Sequence, residues 1–213
     1  HSEKTMLDSL ILKKVENYVL ELFAKKSLAE NIFHSISHTK EVVDVADKIG
    51  TTEGLAMADM EIILIACWFH DTGHFHCCHG HEDQSSEYAR SYLENESYPE
   101  ENIKKIIGCI NATRIPQIPK NKLEEIVCDA DLHHLGQINI EERGKILRQE
   151  FELRGVKTLS DIEWLRTSIE FFKNHRFFTE YARREYGLQK NVNQQILEKM
   201  LENLINRQGR KTD

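Results

Sequence analysis

The chain has 213 residues and a formal net charge of −7, with 30% charged and 40% hydrophobic residues but only 3 prolines and 10 glycines. This composition excludes collagen-like, low-complexity and β-sandwich proteins and predicts one globular, mostly helical domain. The negative charge, without a long basic run, argues against a nucleic acid polymer as partner. Of the 11 histidines, seven lie between His34 and His81, which points to a metal or acid–base site because histidine commonly serves both roles.

The cysteines and the longest apolar run indicate the cellular compartment of the protein and whether the chain spans a membrane. The cysteine count of five is odd, Cys77 and Cys78 are adjacent, and no secretory signal pattern precedes them. The longest apolar run covers residues 62–69, whereas a membrane-spanning helix needs about 20 residues. We therefore expect a cytoplasmic protein with no membrane span in this chain. Cys77 and Cys78, among neighbouring histidines, could also form a zinc cluster, although their spacing differs from a Cys-x-x-Cys site.

Hydrophobic periodicity predicts a series of helices in chain order. The predicted segments are 6–23, 38–49, 56–70, 82–93, 100–111, 123–135, 140–153, 162–172 and 178–205. Segment 56–70 is apolar nearly all round and predicts a buried central helix, although its middle residues could form a strand. Gly50 is expected to cap the second helix, and Thr158 with Asp161 resembles a capping box before the eighth. The short connections predict one compact all-α domain.

His70 and Asp71 lie where the apolar central segment ends. Two polar side chains at the end of a buried helix are costly unless they are paired or bound to something, and a metal ion would satisfy both. A hydrogen-bonded surface pair is the alternative. If the pair binds an ion, that ion lies off the helix end, because adjacent helical residues point about 100° apart.

Two further groups could contribute to such a site. His34 and His38 are four residues apart and share one face if their segment is helical, although a capping role is also open. Asp129 and Asp131 close an apolar window. They are either solvated charges or buried carboxylates that need a partner.

In this order, His38, His70-Asp71 and Asp131 resemble the H…HD…D signature of the HD-domain metal-dependent phosphohydrolases. The surrounding residues agree with it, namely Val42, His81-Glu82, Ser85 and the Asp-Ala-Asp-Leu run from Asp129. The resemblance implies an all-α helical bundle in which the metal ligands are His38, His70, Asp71 and Asp131, and Asp129 is a supporting carboxylate. It also implies a metal-binding core over residues 28–140. Residues 1–27 would then be a helix packed on that core, 141–206 the C-terminal helices of the same domain, and 207–213 a tail.

Residues 33–38 are similar in part to the Tyr-His-Asn-x-x-His motif of cyclic nucleotide phosphodiesterases, with Phe33 and Ser35 in place of Tyr and Asn. The similarity implies that His34 is the acid that protonates the leaving group. It further implies that His74 holds the nucleophilic water and that His81 resembles an extra ligand for a second ion.

Two imidazoles and two carboxylates leave open positions on an octahedral ion, which favours a hydrolytic site over a closed structural one. The expected function is hydrolysis of a phosphomonoester or phosphodiester of a nucleotide or similar small molecule, with His34, His74 and Asp71 as catalytic residues. The cofactor would be one or two divalent ions of Mn, Fe, Ni, Zn, Co or Mg. Arg114 and Lys190 are candidates for binding the phosphate. The alternatives are a nucleotide-sensing module that regulates a partner with little turnover, and a purely structural metal; a homodimer is also open.

Overall fold

The computed structural model describes residues 9–210, and within that range every regular element is helical. The nine α-helices are α1 (Leu10–Lys26), α2 (Ile36–Thr52), α3 (Met57–Phe69), α4 (His81–Asn95), α5 (Glu100–Ala112), α6 (Lys122–Asp131), α7 (Ile140–Leu153), α8 (Asp161–Asn174) and α9 (Glu180–Gly209). Two 3₁₀ turns cover Thr72–Phe75 and His133–Gly136. The prediction of an all-α fold is confirmed. The expected start of the first helix at residue 6 and the end of the expected tail, 211–213, lie outside the described residues.

Helix α3 is the centre of the first of two compact units, which ends at Leu132. Helices α1, α2, α4, α5 and α6 all pack against α3, and its residues from Met60 to Phe69 are buried with the exception of Glu61. A helix with a neighbour on every side has no face for polar side chains, which is why its sequence is apolar all round. The predicted central helix is therefore confirmed, and the strand considered for its middle residues is wrong.

The second unit begins at His133 and contains α7, α8 and α9. Helix α9 packs against α8 and against the 3₁₀ turn His133–Gly136. A Cβ on Gly136 would lie 2.5 Å from the backbone oxygen of Tyr186, so this turn approaches α9 too closely for any side chain. The predicted domain boundaries at residues 27, 140 and 206 stay predictions.

Two local predictions are wrong, and the condition of a third is not met. Gly50 does not end α2, which continues to Thr52; a Cβ there would lie 2.4 Å from Met60 Sδ, so the glycine instead allows α3 to approach closely. The capping box of α8 is formed by Ser160 and Glu163 rather than by Thr158 and Asp161. His34 precedes α2, whose N-cap is Ser35, so His34 and His38 do not share a helical face.

Candidate metal centre

The end of α3 places His70 and Asp71 in the interior of the first unit. His70 is 0% exposed, and its Nδ1 lies 2.6 Å from the Cys67 carbonyl oxygen. Only a protonated nitrogen can bond to a carbonyl, so Nδ1 donates and Nε2 is the nitrogen that faces Asp71. A backbone acceptor of this kind fixes the orientation of a metal-binding imidazole. Helix α3 therefore presents His70 with its Nε2 directed into the cluster.

Helices α2 and α6 bring His38 and Asp131 to the same point. His38 lies in the first turn of α2, and Asp131 is the last residue of α6. Asp131 Oδ1 is 3.3 Å from His38 Nε2 and 3.2 Å from His70 Nε2. Asp71 Oδ2 is 3.5 Å from His38 Nε2 and 3.2 Å from His70 Nε2. One ligand atom from each of the four residues thus lies within 4.8 Å of all the others.

The chemistry of this cluster fits a divalent cation. His70 Nε2 and Asp71 Oδ2 are buried, and within the described structure neither has a hydrogen-bond partner, although they are 3.2 Å apart. Buried nitrogen and oxygen atoms that approach without hydrogen-bond geometry are costly unless they share a ligand. Two imidazoles and two carboxylates suit Mn, Fe, Co, Ni or Zn, and Mg less well. The four residues could therefore hold the ion that the sequence predicts.

Three imidazoles are stacked beside this cluster. The ring of His74 lies between those of His34 and His81, with centroid distances of 3.9 Å and 3.7 Å and interplanar angles of 22° and 25°. Asp71 Oδ1 faces the stack, 3.6 Å from His74 Nε2 and 3.4 Å from His81 Nε2. His34, Asp71 and His74 form a second group with metal-binding geometry. Asp71 thus directs one oxygen to each of two adjoining groups of histidines.

The charges in the centre follow from these contacts. Burial alone would raise the pKa of Asp71, but the imidazoles of His70, His81 and His74 together hold that pKa well below its usual range. Burial opposes ionisation of Asp131 in the same way, and the His38 and His70 imidazoles beside it lower its pKa. Burial would lower the pKa of His70 and His81, but the carboxylates around them raise both. Both carboxylates are therefore anionic, and a bound cation would displace the protons of the imidazoles.

Hydrogen bonds to the backbone hold the segment between His70 and His81. Ser85 Oγ donates to the His70 carbonyl at 2.7 Å and accepts from the Gly73 N–H at 2.8 Å. A Cβ on Gly73 would lie 1.9 Å from the carbonyl oxygen of His81, the first residue of α4. Only glycine at position 73 therefore allows the start of α4 to approach the 3₁₀ turn this closely. The motif includes Ser85 as a small residue. Its two hydrogen bonds, however, depend on the meeting of α3 and α4, which the sequence does not reveal.

The remaining predicted residues lie in different surroundings. Arg114 follows α5 and pairs with Glu82 Oε2 at 3.3 Å and Asp83 Oδ1 at 3.0 Å, and the other oxygen of Glu82 is 3.6 Å from His81 Nδ1. Lys190 lies in the second unit, where its Nζ donates to the His175 carbonyl. Asp129 is fully buried. Cys77 and Cys78 do not form a disulfide, and the metal-binding groups found among the described residues do not include them.

The fold and the cluster define an all-α protein with a His/Asp cluster that could hold a metal ion, and comparison with known proteins gives its family. The HD-domain family profile matches residues 35–201. The chain therefore belongs to the HD-domain family, whose members bind divalent metals and include metal-dependent phosphohydrolases. No curated protein matches the sequence. No helix in the described part of the chain combines the length and the apolar character needed to cross a membrane.

Two solved structures share the fold. A predicted HD superfamily hydrolase from an uncultured Thermotogales bacterium is 20% identical, with a TM-score of 0.57, and the match covers 92% of each chain. A protein from Lactobacillus plantarum is 14% identical, with a TM-score of 0.70, and the match covers 94% of this chain and 100% of that one. At these identities the likeness shows the fold alone.

Proposed function

We propose that the protein is a metal-dependent phosphohydrolase that cleaves a phosphomonoester or phosphodiester of a nucleotide or a similar small molecule. The observation that carries the proposal is the convergence of His38, His70, Asp71 and Asp131, with one ligand atom each within 4.8 Å of the others. None of the five cysteines forms a disulfide, which agrees with an enzyme of the reducing cytoplasm.

Each member of the cluster has a proposed task. His38, His70, Asp71 and Asp131 hold the ion, which when bound would lower the pKa of water and draw charge from a phosphoryl oxygen. Either His34 or His74 would give the leaving oxygen a proton. His34 is partly exposed and can exchange protons with solvent, whereas His74 is 4% exposed and stacks on the His34 ring. This contrast supports His34 as the terminal donor and His74 as the group that orients the water.

A second ion would lie on the other side of Asp71. The residues that would hold it are His74, His81 and Asp71, whose Oδ1 faces both imidazoles. Two-metal sites clamp the attacking and leaving oxygens of a displacement at phosphorus. Glu82 supports His81 in this role because its carboxylate oxygen is 3.6 Å from His81 Nδ1, on the side away from Asp71.

The phosphate charge needs compensation in a protein of net charge −7. Arg114 is the proposed partner next to the centre, because it pairs with Glu82, the neighbour of His81. The Arg114 side chain is 45% exposed, so two of its guanidinium donors can turn to a phosphate at the surface. Lys190 is the second residue proposed to bind phosphate.

The test is metal reconstitution. We would strip the protein with a chelator and reload it separately with Mn, Fe, Co, Ni, Zn and Mg. Each form is then assayed for product from an aryl phosphate, a bis-aryl phosphate and a panel of nucleotides. Activity with at least one metal, lost in Asp71→Asn and kept in the exposed-carboxylate control Asp44→Asn, is the expected result. A folded, metal-loaded protein that hydrolyses none of these compounds would overturn the proposal, and tight nucleotide binding without product would establish the sensing module instead.

A further inference from the structure

The second unit contains a buried cation without a carboxylate partner. Lys190 in α9 is 8% exposed, its Nζ donates to the His175 carbonyl, and the same atom lies 5.9 Å from the centroid of the Phe177 ring. Among the described residues from 133 to 210, none of the ion pairs includes Lys190. Burial accordingly lowers its pKa. An ammonium group has three N–H donors, and only one is used here.

His175, beside Lys190, is also unsatisfied. Its Nδ1 and Nε2 are both buried and have no hydrogen-bond partner in the described structure. The ring packs edge-on against Phe177, with centroids 4.7 Å apart and an interplanar angle of 84°. Burial and the charge of Lys190 lower the pKa of His175 to about 3, so the imidazole is neutral. Its single N–H therefore has no acceptor, which is costly for a buried group.

This deficit is local to one turn of α9. Asn193, the next inward-facing polar residue, donates to the carbonyls of Leu135 and Gln137 at 2.8 Å each and accepts from Gln189 at 2.9 Å. Asn193 is thus fully hydrogen-bonded, whereas Lys190 and the adjacent His175 lack acceptors for their N–H groups. The His175 carbonyl at the C-terminal end of α8 accepts one N–H of Lys190. This contact does not provide a hydrogen-bond partner for either ring nitrogen of His175.

We propose that Lys190 and His175 form a binding pair for a phosphate-like oxyanion. A tetrahedral anion offers several acceptor oxygens with negative charge, which is what the spare ammonium donors and the imidazole N–H both lack. The anion can be the phosphate group of an organic ester, or it can be free phosphate in solution. Binding itself requires neither the metal centre nor turnover, so it can be tested when hydrolysis is absent.

The experiment uses the metal-free protein and inorganic phosphate. Thermal unfolding is followed in a phosphate series and in sodium chloride of matched ionic strength, and affinity is measured by calorimetry. Phosphate is expected to raise the melting temperature of the wild type. Lys190→Met and His175→Phe should each weaken phosphate binding about tenfold or more, the loss of one charge-assisted hydrogen bond. Lys199→Met removes an exposed lysine of the same helix, paired with Glu202 at 2.8 Å, and should bind phosphate as the wild type does.

Two further measurements keep the proposal falsifiable if a variant folds poorly. Lys190→Arg keeps the charge and should retain phosphate binding, and the imidazole NMR signals of His175 in the wild type should shift on phosphate addition. The proposal is overturned if phosphate does not raise the melting temperature of the wild type, or if a well-folded Lys190→Met binds phosphate as tightly as the wild type does. In the same metal-free protein, displacement of inorganic phosphate by an aryl phosphate or a nucleotide assigns the site to an organic phosphate, and failure to displace it assigns the site to free phosphate.

Discussion

Ser85 offers the sharpest test of what holds the metal centre together. The residue is 0% exposed and links two segments, because its hydroxyl donates to the His70 carbonyl and accepts from the Gly73 N–H. Ser85→Ala removes both hydrogen bonds and leaves two backbone groups without a partner. A lost hydrogen bond costs about 1 kcal/mol, and an unpaired buried group costs about 1–3 kcal/mol. We therefore expect the free energy of unfolding of the first unit to fall by about 2–4 kcal/mol.

The neighbouring Ser86 provides a matched control. Its Oγ is buried but has no hydrogen-bond partner in the described part of the chain, so Ser86→Ala removes a similar volume from the same helix without breaking a bond. The change in unfolding free energy should stay within about 0.5 kcal/mol of zero. The difference between the two variants isolates the contribution of the hydrogen bonds from that of the deleted oxygen.

Urea unfolding in the presence of a chelator measures this difference without a contribution from bound metal. The chain has two tryptophans, Trp68 in the first unit and Trp164 in the second, so a Trp164→Phe background makes fluorescence report on the first unit. In thermal unfolding, the Ser85→Ala loss corresponds to a shift of about 5–15 °C. Metal affinity should also fall by about tenfold, because the His70 backbone loses its anchor. Equal stability of the Ser85 and Ser86 variants would refute this reasoning.

The other predictions concern the ion, the backbone and pH. Asp131→Asn should lower metal affinity, measured by competition with a chelator, by at least about tenfold, whereas exposed Asp44→Asn should leave it unchanged. Gly73→Ala should prevent soluble expression or abolish metal binding, because its Cβ would meet the His81 carbonyl at 1.9 Å; a stable, metal-binding variant would contradict the described backbone. The pKa of His175 is lowered to about 3 in the folded chain, so between about pH 6.5 and that value only the unfolded chain binds this proton, and stability falls as pH falls. Between about pH 7.5 and about pH 5.5, His175→Gln should lose about 1 kcal/mol less unfolding free energy than the wild type, as measured by urea unfolding in phosphate-free buffer. The same pH dependence of stability in both proteins would count against a neutral His175.

The sequence predicted the helices well where one physical signal dominated. Segment 56–70 is apolar on every side, and only a helix surrounded by others accounts for that pattern at this length. Gly50 was misread because a glycine near a helix end indicates a cap, yet the contact with Met60 Sδ that requires it comes from α3. Such contacts belong to the packing of two helices and leave no periodic signal in either one.

The candidate centre shows the same limit. The motif singled out four residues, and the structure brings those four together; their role as ligands stays a prediction. The stack of His34, His74 and His81 could not be predicted, because the three residues come from a loop, a 3₁₀ turn and the start of a helix. Their rings meet only when those segments fold against each other. The spacing of His34 from His38 even suggested a helical face that does not exist.

The hydrogen bonds and helix packing that position the candidate ligands argue against a purely structural ion. Small metal-dependent domains need the ion to fold because little else holds their ligands. Here the Cys67 carbonyl orients His70, and Ser85 holds the backbone on either side of Asp71, so hydrogen bonds within the protein position the ligands before any ion binds. His38 and Asp131, 93 residues apart in sequence, meet at 3.3 Å because the ends of α2 and α6 are fixed by packing on α3. A chelated protein should therefore keep its helical circular dichroism while losing activity, the behaviour of a centre built for chemistry rather than for folding.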